Sequence, residues 1–402
     1  MPNETITAPK GFSCGAAACG IKKDGAADLG LLVADRPCSA AAAFTTNRFC
    51  GAPVVVGREH VRGGRLQAVV ANSGCSNVAT GARGLRDARE MCRLAAVSLG
   101  IEPTLVLPSS TGVIGRFLPM DKVAQGIATA AARLSNSGAA GEAFARAIMT
   151  TDRRPKQACL RLRLGRSRVV IAGCCKGSGM IAPKMATMLA YLTTDADVPP
   201  AMLRRFLLPA VERTFNRVTV DECQSTSDTV VLLAGGRAGN GPIRSATSAA
   251  GRAFAAALFE VCASLAYQIA RDGEGATRVI EVRVRGARTP ADAHQVARAI
   301  AVSPLVKTAV HGGDPNWGRI VQALGTTSAA FDSRKVRVHI GPVCVFRHAE
   351  PVRSVSLASV SRWMKADPVA ITVELAAGRC DDRVLTCDLS REYVAINADY
   401  TT

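Results

Sequence analysis

Residues 176 to 195 read Lys-Gly-Ser-Gly-Met-Ile-Ala-Pro-Lys-Met-Ala-Thr-Met-Leu-Ala-Tyr-Leu-Thr-Thr-Asp, with Thr187 near the centre among small or flexible neighbours and a glycine-rich turn and a lysine upstream. A threonine hydroxyl is a poor nucleophile unless a base lies beside it. One recurring solution is to cut the chain before the threonine, so that its own freed α-amine becomes that base. Such an amine, with an ordinary pKa of roughly 7.7, can take the hydroxyl proton at neutral pH without a histidine. The competing reading of the same segment is an ordinary buried helix start after Pro183.

Acyl transfer also needs an oxyanion stabiliser and groups that hold the substrate. Pro108-Ser109-Ser110-Thr111-Gly112-Val113-Ile114-Gly115 follows an apolar run and opens a glycine-containing turn able to aim a backbone N–H and a hydroxyl at one oxygen. Taken alone, Ser-Thr-Gly is a common turn. Lys176 precedes Gly177-Ser178-Gly179, where the backbone can approach a ligand closely while the ammonium meets a carboxylate; a solvated surface lysine is the alternative, and the Gly-Lys-Ser/Thr order of a P-loop is missing. In Arg271-Asp272-Gly273-Glu274-Gly275-Ala276-Thr277 a helix-capping loop explains the glycines but does not require Glu274. The chain ends on Asn397-Ala398-Asp399-Tyr400-Thr401-Thr402, a stretch that would ordinarily fray.

The elements that must position these residues are built with little aromatic material. Of 402 residues, 48% are hydrophobic, 20% charged and only 4% aromatic, so the core rests on Ala, Val, Leu and Ile, in two domains or one large α/β unit. The polar stretch Met1 to Lys10 and the lack of eighteen consecutive uncharged apolar residues predict a soluble, unexported, cytoplasmic protein. The fourteen cysteines are scattered without a Cys-x-x-Cys pair, and Cys174 and Cys175 are adjacent, which predicts reduced thiols. His60, His294, His311, His339 and His348 are too dispersed for metal-ligand spacing, so no metal is expected. The formal charge of +18 permits nucleic-acid or acidic-surface binding, but the basic residues, such as Arg204, Arg205, Arg278, Arg283 and Arg285, are spread over apparent helix faces and strands rather than gathered in a tract with aromatics. A charged exterior with acidic small-molecule substrates accounts for it more simply.

Along the chain, short apolar runs at Leu31 to Ala34, Pro53 to Gly57, Leu66 to Asn72, Thr104 to Leu107 and Ser167 to Ala172 read as strands. Three- and four-residue apolar spacing predicts helices over Arg83 to Leu99, Met120 to Leu134, Ala201 to Phe215, Ala246 to Arg271 and Pro290 to Val302. Ile280, Val282 and Val284 alternate with Glu281, Arg283 and Arg285 as a half-buried strand, and further strands are expected at Val336 to Ile340, Ala370 to Leu375 and Tyr393 to Asn397. The order is mixed α/β, without internal repeats, and a soft boundary falls near 273–280, in the loop following Gly273.

The segment around Thr187 resembles the processing site of the ornithine acetyltransferase (glutamate N-acetyltransferase) family. Phe44-Thr45-Thr46-Asn47, Val78-Ala79-Thr80-Gly81, Thr226-Ser227-Asp228-Thr229 and His311-Gly312-Gly313-Asp314-Pro315-Asn316-Trp317-Gly318-Arg319 extend the likeness over nearly the whole chain. The resemblance implies autocatalytic cleavage between Ala186 and Thr187. It makes Thr187 the nucleophile, Thr111 and Gly112 the oxyanion hole, and Thr150, Lys176, Thr187, Glu274, Asn397 and Thr402 the substrate-binding residues. It further implies a layered mixed α/β sandwich with a smaller C-terminal α/β domain. Fragments 1–186 and 187–402 would stay intertwined after cleavage and assemble into a homo-oligomer of such pairs. His311, Asp314 and Arg319 receive no catalytic role, since a turn held by side-chain hydrogen bonds accounts for them.

The implied reaction is a double displacement: Thr187 takes the acetyl group of N-acetylornithine, ornithine leaves, and glutamate accepts the acetyl group, with no cofactor. Cys75 where asparagine is common, Arg153 in place of threonine, Lys184 in an asparagine-like place, and Glu222-Cys223-Gln224 for a Gly-Asp-Thr-like run depart from the family pattern. Because Arg153 and Lys184 add positive charge beside family binding positions, the donor and acceptor stay open. Two other readings compete: a self-processed N-terminal-nucleophile amidohydrolase or aminopeptidase, with water as acceptor, and a non-catalytic basic interaction protein.

Overall fold

A computed structural model describes residues 4–182 and 188–399. The chain divides into two compact units, one of residues 1–216 and 223–269 and the other of residues 217–222 and 270–402.

The first unit is organised on an eight-stranded sheet made of β1 (Phe12–Ala17), β2 (Leu29–Phe44), β3 (Arg65–Asn72), β4 (Val106–Ser110), β5 (Lys156–Leu164), β6 (Ser167–Lys176), β7 (Leu189–Thr194) and β8 (Thr229–Ala234). The strand order is β4-β3-β2-β8-β7-β6-β5, with β1 paired to β2. Pairing is antiparallel except at β3–β4 and β7–β8, so the sheet is mixed. On β3, Val69 and Ala71 enter one apolar cluster while Ala68 and Val70 enter another; the two-residue period of a strand therefore puts a core on each face of the sheet. Helices α1 (Ala52–His60), α2 (Gly81–Leu99), α3 (Met120–Ala132), α4 (Gly138–Ala147), α5 (Pro200–Arg213) and α6 (Ala249–Arg271) complete the unit, the last residues of α6 crossing into the second.

Strands β7 and β8 are buried at all six positions each. They lie between β2 and β6, which precede residue 187 in the chain. The helix α6 is long and apolar enough to cross a membrane by length and composition, but it carries Glu260 and half of its most apolar stretch is buried against the rest of the protein, as in the core helix of a globular domain.

The second unit carries a six-stranded sheet of order β12-β11-β10-β13-β9-β14, built from β9 (Val279–Ala287), β10 (Arg337–Ile340), β11 (Val343–Arg347), β12 (Glu350–Pro351), β13 (Val369–Glu374) and β14 (Cys380–Cys387). Ile280, Val282 and Val284 are buried and pack with α7 (Pro290–Val302), α8 (Pro304–Gly312) and α9 (Gly318–Gly325). Helices α10 (Leu357–Met364) and α11 (Arg391–Asp399) follow. The architecture is the mixed α/β one expected.

Two expected strands are helices. Pro53 to Gly57 lies in α1, where Pro53 occupies the first turn, the place in which its missing N–H costs nothing; the three valines suggested a strand through their β-branching. Tyr393 to Asn397 lies in α11, which starts with Glu392 in its first turn, where a carboxylate complements the helix dipole.

Candidate active site

The turn after β4 is fixed from several sides. Ser110 Oγ donates to Asn72 Oδ1 at 2.6 Å, and Asn72 Nδ2 donates to the Cys75 carbonyl at 2.8 Å. Thr111 N donates to Asn72 O at 3.0 Å, and Cys75 bridges both Thr111 and Val113. Gly112 has φ +124°, and a Cβ there would lie 2.4 Å from the Gly74 carbonyl carbon and 2.7 Å from the Cys75 nitrogen. Only glycine fits this position. With the Thr111 amide committed to Asn72, the turn offers a ligand the Thr111 hydroxyl and the Gly112 N–H, which is engaged by no hydrogen bond among the described residues.

Lys176, at the end of β6, brings its ammonium to this turn: Nζ donates to Thr111 Oγ1 at 3.4 Å, and both residues are buried. A hydroxyl that accepts from a cation keeps its own proton to donate, so the pair is arranged to stabilise negative charge on a bound oxygen.

Beside Lys176 lies a residue that motif reading missed. Asp152 is buried, and its Oδ1 accepts from Lys156 Nζ at 2.6 Å and from Gly177 N at 2.7 Å, while Oδ2 accepts from Thr150 N at 3.0 Å. One carboxylate thus ties together Thr150, the Lys176-Gly177 backbone and Lys156. Burial acts to raise its pKa, but the charges of Lys156 and Lys176, the Gly177 N–H and the Lys156 hydrogen bond outweigh it and bring the carboxyl to about 2. The available signal was an acidic residue two places after Thr150. Arg153, next to it, is exposed.

Thr187 and Ala186 lie outside the described residues, as do Lys184 and Thr402. The structure resumes at Met188, whose N–H donates to Asp228 Oδ1 at 2.8 Å and whose carbonyl accepts from Thr229 N at 3.1 Å. Asp228 is buried, and burial pushes its carboxyl well above the usual range, opposed by the Met188 N–H, the Lys176 charge and the hydroxyls of Ser225 and Thr45.

In the second unit, Glu274 is buried and its Oε2 accepts from Asn397 Nδ2 at 2.9 Å. The loop is held tightly: Gly275 has φ +69°, a Cβ there would come within 2.5 Å of Tyr393 N, and Ser390 Oγ donates to the Gly275 carbonyl at 2.7 Å. Two of the predicted binding residues, distant in sequence, are therefore in direct contact. His311 Nδ1 is 2.7 Å from Asp388 Oδ2, a carboxylate that also takes the Thr277 hydroxyl, while Arg319 reaches the Leu305 carbonyl and lies 3.8 Å from Asp314. These contacts hold turns and helix ends together. All fourteen cysteines are free thiols, and no metal-binding cluster occurs among the described residues.

Residues 13–402 match the sequence pattern of the ArgJ family. The chain belongs to the ArgJ family. An arginine biosynthesis bifunctional protein ArgJ from Symbiobacterium thermophilum is 51% identical over 399 residues, which cover 99% of this chain and 98% of that one. The protein of the same name from Dehalococcoides mccartyi is 45% identical over 404 residues, covering 100% and 98%. Among solved structures, the ArgJ protein of Bacillus halodurans, at 2.00 Å resolution, superposes with a TM-score of 0.50 at 41% identity, over 52% of this chain and 97% of that one. The ArgJ kinship therefore spans both units, including the turn at Thr111, Lys176 and the Glu274 loop.

Proposed function

We propose that this ArgJ-family protein is a glutamate N-acetyltransferase that moves an acetyl group from N-acetylornithine to glutamate through an ester on Thr187, after self-cleavage between Ala186 and Thr187. The observation that carries the reading is the buried contact of Lys176 with Thr111, on a turn whose Gly112 leaves no room for a side chain. In the first half-reaction the Thr187 α-amine takes the hydroxyl proton and Oγ attacks the acetyl carbonyl. Thr111 and Gly112 receive the developing oxyanion, worth on the order of 3 kcal/mol for one donor. The proton on the amine then goes to the departing ornithine nitrogen. Glutamate's amine attacks the ester in the second half, and Oγ recovers its proton.

Lys176 and Thr150 serve a substrate carboxylate, and Glu274 with Asn397 serves an ammonium. Thr402 joins the same set. The acetyl group leaves from and returns to an amide, so the exchange is nearly thermoneutral and uses no cofactor. The working form we propose is a homo-oligomer of fragment pairs 1–186 and 187–402 in the cytosol, where fourteen free thiols are stable.

An intact-mass spectrum of the purified protein tests the cleavage, with two fragments expected for the wild type and one inactive chain for Thr187→Ala. Acetylglutamate formation from N-acetylornithine tests the acceptor. Release of free acetate in place of acetylglutamate would make the protein an amidohydrolase instead.

A further inference from the structure

The loop between β1 and β2 reaches the Thr111 turn through Gly74. A Cβ on Gly112 would lie 2.7 Å from the Gly74 Cα, and a Cβ on Gly74 would lie 3.3 Å from Lys22 Cγ. Asp28, itself buried, fixes the loop there: its Oδ1 accepts from Cys19 N at 2.7 Å, and its Oδ2 from Ile21 N at 2.6 Å and Lys22 N at 3.0 Å. Lys122 Nζ adds a bond to the Gly20 carbonyl at 2.9 Å. The Lys22 side chain is half-buried, and its Nζ donates to the Ala27 carbonyl at 2.9 Å, the one hydrogen bond of this ammonium among the described residues. Burial pulls the ammonium below the ordinary lysine range; Asp24, Asp28 and Asp152 oppose that shift, and the charge of Lys176 adds to it. The opposing carboxylates are engaged elsewhere or weak. Asp28 serves three loop amides, Asp152 holds Lys156, Gly177 and Thr150, and Asp24 is exposed, where water and salt screen it. Lys22 is therefore a cation short of a counter-charge beside the turn that carries Thr111 and Gly112.

We propose that Lys22 is a specificity-determining residue of the acceptor half-reaction, its ammonium binding the side-chain carboxylate of glutamate while Lys176 binds the α-carboxylate. Glutamate and ornithine share an α-carboxylate and differ at the far end, where one carries a carboxylate and the other an ammonium. An enzyme that exchanges the two beside one turn needs a cation that only glutamate uses. Lys156 is not that cation, because it is almost wholly shielded and bound to Asp152 at 2.6 Å. Lys176 is occupied at Thr111. Lys22 remains, half-exposed and with donors to spare. It attracts the far end of glutamate and repels that of ornithine, so an acceptor with a neutral end, such as glutamine, leaves its charge uncompensated and is rejected. Lys22 makes and breaks no covalent bond and keeps its protons throughout.

The inference rests on the functional reading above, and the test separates the two. Lys22→Met keeps the length and apolar stem of the side chain and removes the charge. The readout is the preference for glutamate over glutamine, as the ratio of kcat/KM for acetyl transfer to each. In Lys22→Met this ratio should fall by about 10- to 100-fold, as for losing a hydrogen bond between charged groups, while KM for N-acetylornithine does not rise; Lys22→Arg should retain most of the preference. A Lys22→Met enzyme that still forms acetylglutamate with a ratio within about twofold of wild type would overturn the role of Lys22 alone. So would equal losses with both acceptors, the mark of a merely structural role. A wild type that forms no acetylglutamate would overturn the functional reading and this proposal with it. Should Lys22→Met fail to fold, a crystal structure of the wild type with glutamate decides: Lys22 Nζ within about 3.2 Å of the side-chain carboxylate supports the proposal, and no contact between them overturns it.

Discussion

Lys156 and Asp152 form an ion pair of 2.6 Å with both side chains almost wholly shielded from solvent. Removing Lys156 takes the nearest counter-charge from a buried carboxylate, and with Lys176 and two backbone amides still favouring that charge the cost is at most about 3–5 kcal/mol. Lys156→Met should therefore lower the unfolding free energy by up to that amount in urea titrations. Asp152 also contributes a pH dependence. Its folded pKa, about 2, lies below the ordinary aspartate value, so its stabilisation is complete above about pH 4 and is lost as the pH falls from there toward 2. Asp152→Asn should flatten this part of the stability profile, measured as denaturant midpoint against pH.

In the proposed mechanism, Thr111→Ala removes a hydroxyl that the oxyanion uses more than the ground state does. We expect kcat to fall by about 10²–10³-fold with KM changing little. A raised KM with normal kcat would reassign Thr111 to ground-state binding.

Gly112→Ala should be worse than Thr111→Ala in both stability and turnover. The added methyl meets backbone atoms of Gly74 and Cys75, which cannot rotate away, at a φ unfavourable to side chains. A loss of about 1–3 kcal/mol or more is expected, read as a lowered Tm, together with loss of acetyl transfer because the turn must open.

Glu274→Gln preserves an acceptor for Asn397 Nδ2 but removes the negative charge. Unfolding free energy should stay within about 0.5 kcal/mol of wild type, while KM for N-acetylornithine should rise about 10- to 100-fold, as expected for losing a hydrogen bond to a charged group. Deleting Thr401 and Thr402 should likewise impair transfer with little effect on Tm if Thr402 serves the substrate; unaltered steady-state kinetics would mark the tail as dispensable.

The legible parts of this chain were those whose side chains report one environment at a time. Ile280, Val282 and Val284 alternate with charged neighbours, and the strand they predict is there. The strands Leu189–Thr194 and Thr229–Ala234 were missed because a strand buried on both faces loses that alternation and reads like any apolar run. At the site, glycines and hydroxyls drew attention to the Thr111 turn and to the Lys176 segment, and those do meet. Asp152 escaped because its importance is relational: nothing local to Thr-Thr-Asp says that a carboxylate will gather a lysine four residues on and an amide from the far end of β6. The Glu274–Asn397 contact joins residues 123 apart in sequence, and spacing alone could not have paired them.

The position of β7 and β8 between β2 and β6 has a kinetic consequence for maturation. A break before Thr187 would leave the new amino terminus attached to an interior strand, flanked on both outer sides by strands of the other piece. The pieces could then part only by stripping ladders of hydrogen bonds from the middle of the sheet. Reassembly from separated pieces would be a second-order encounter between two chains that each lack their neighbours. Folding must therefore come first and scission second, so that the cut works as a ratchet: an enzyme denatured after it should recover activity far less readily, and with a concentration dependence that the uncut Thr187→Ala chain does not share.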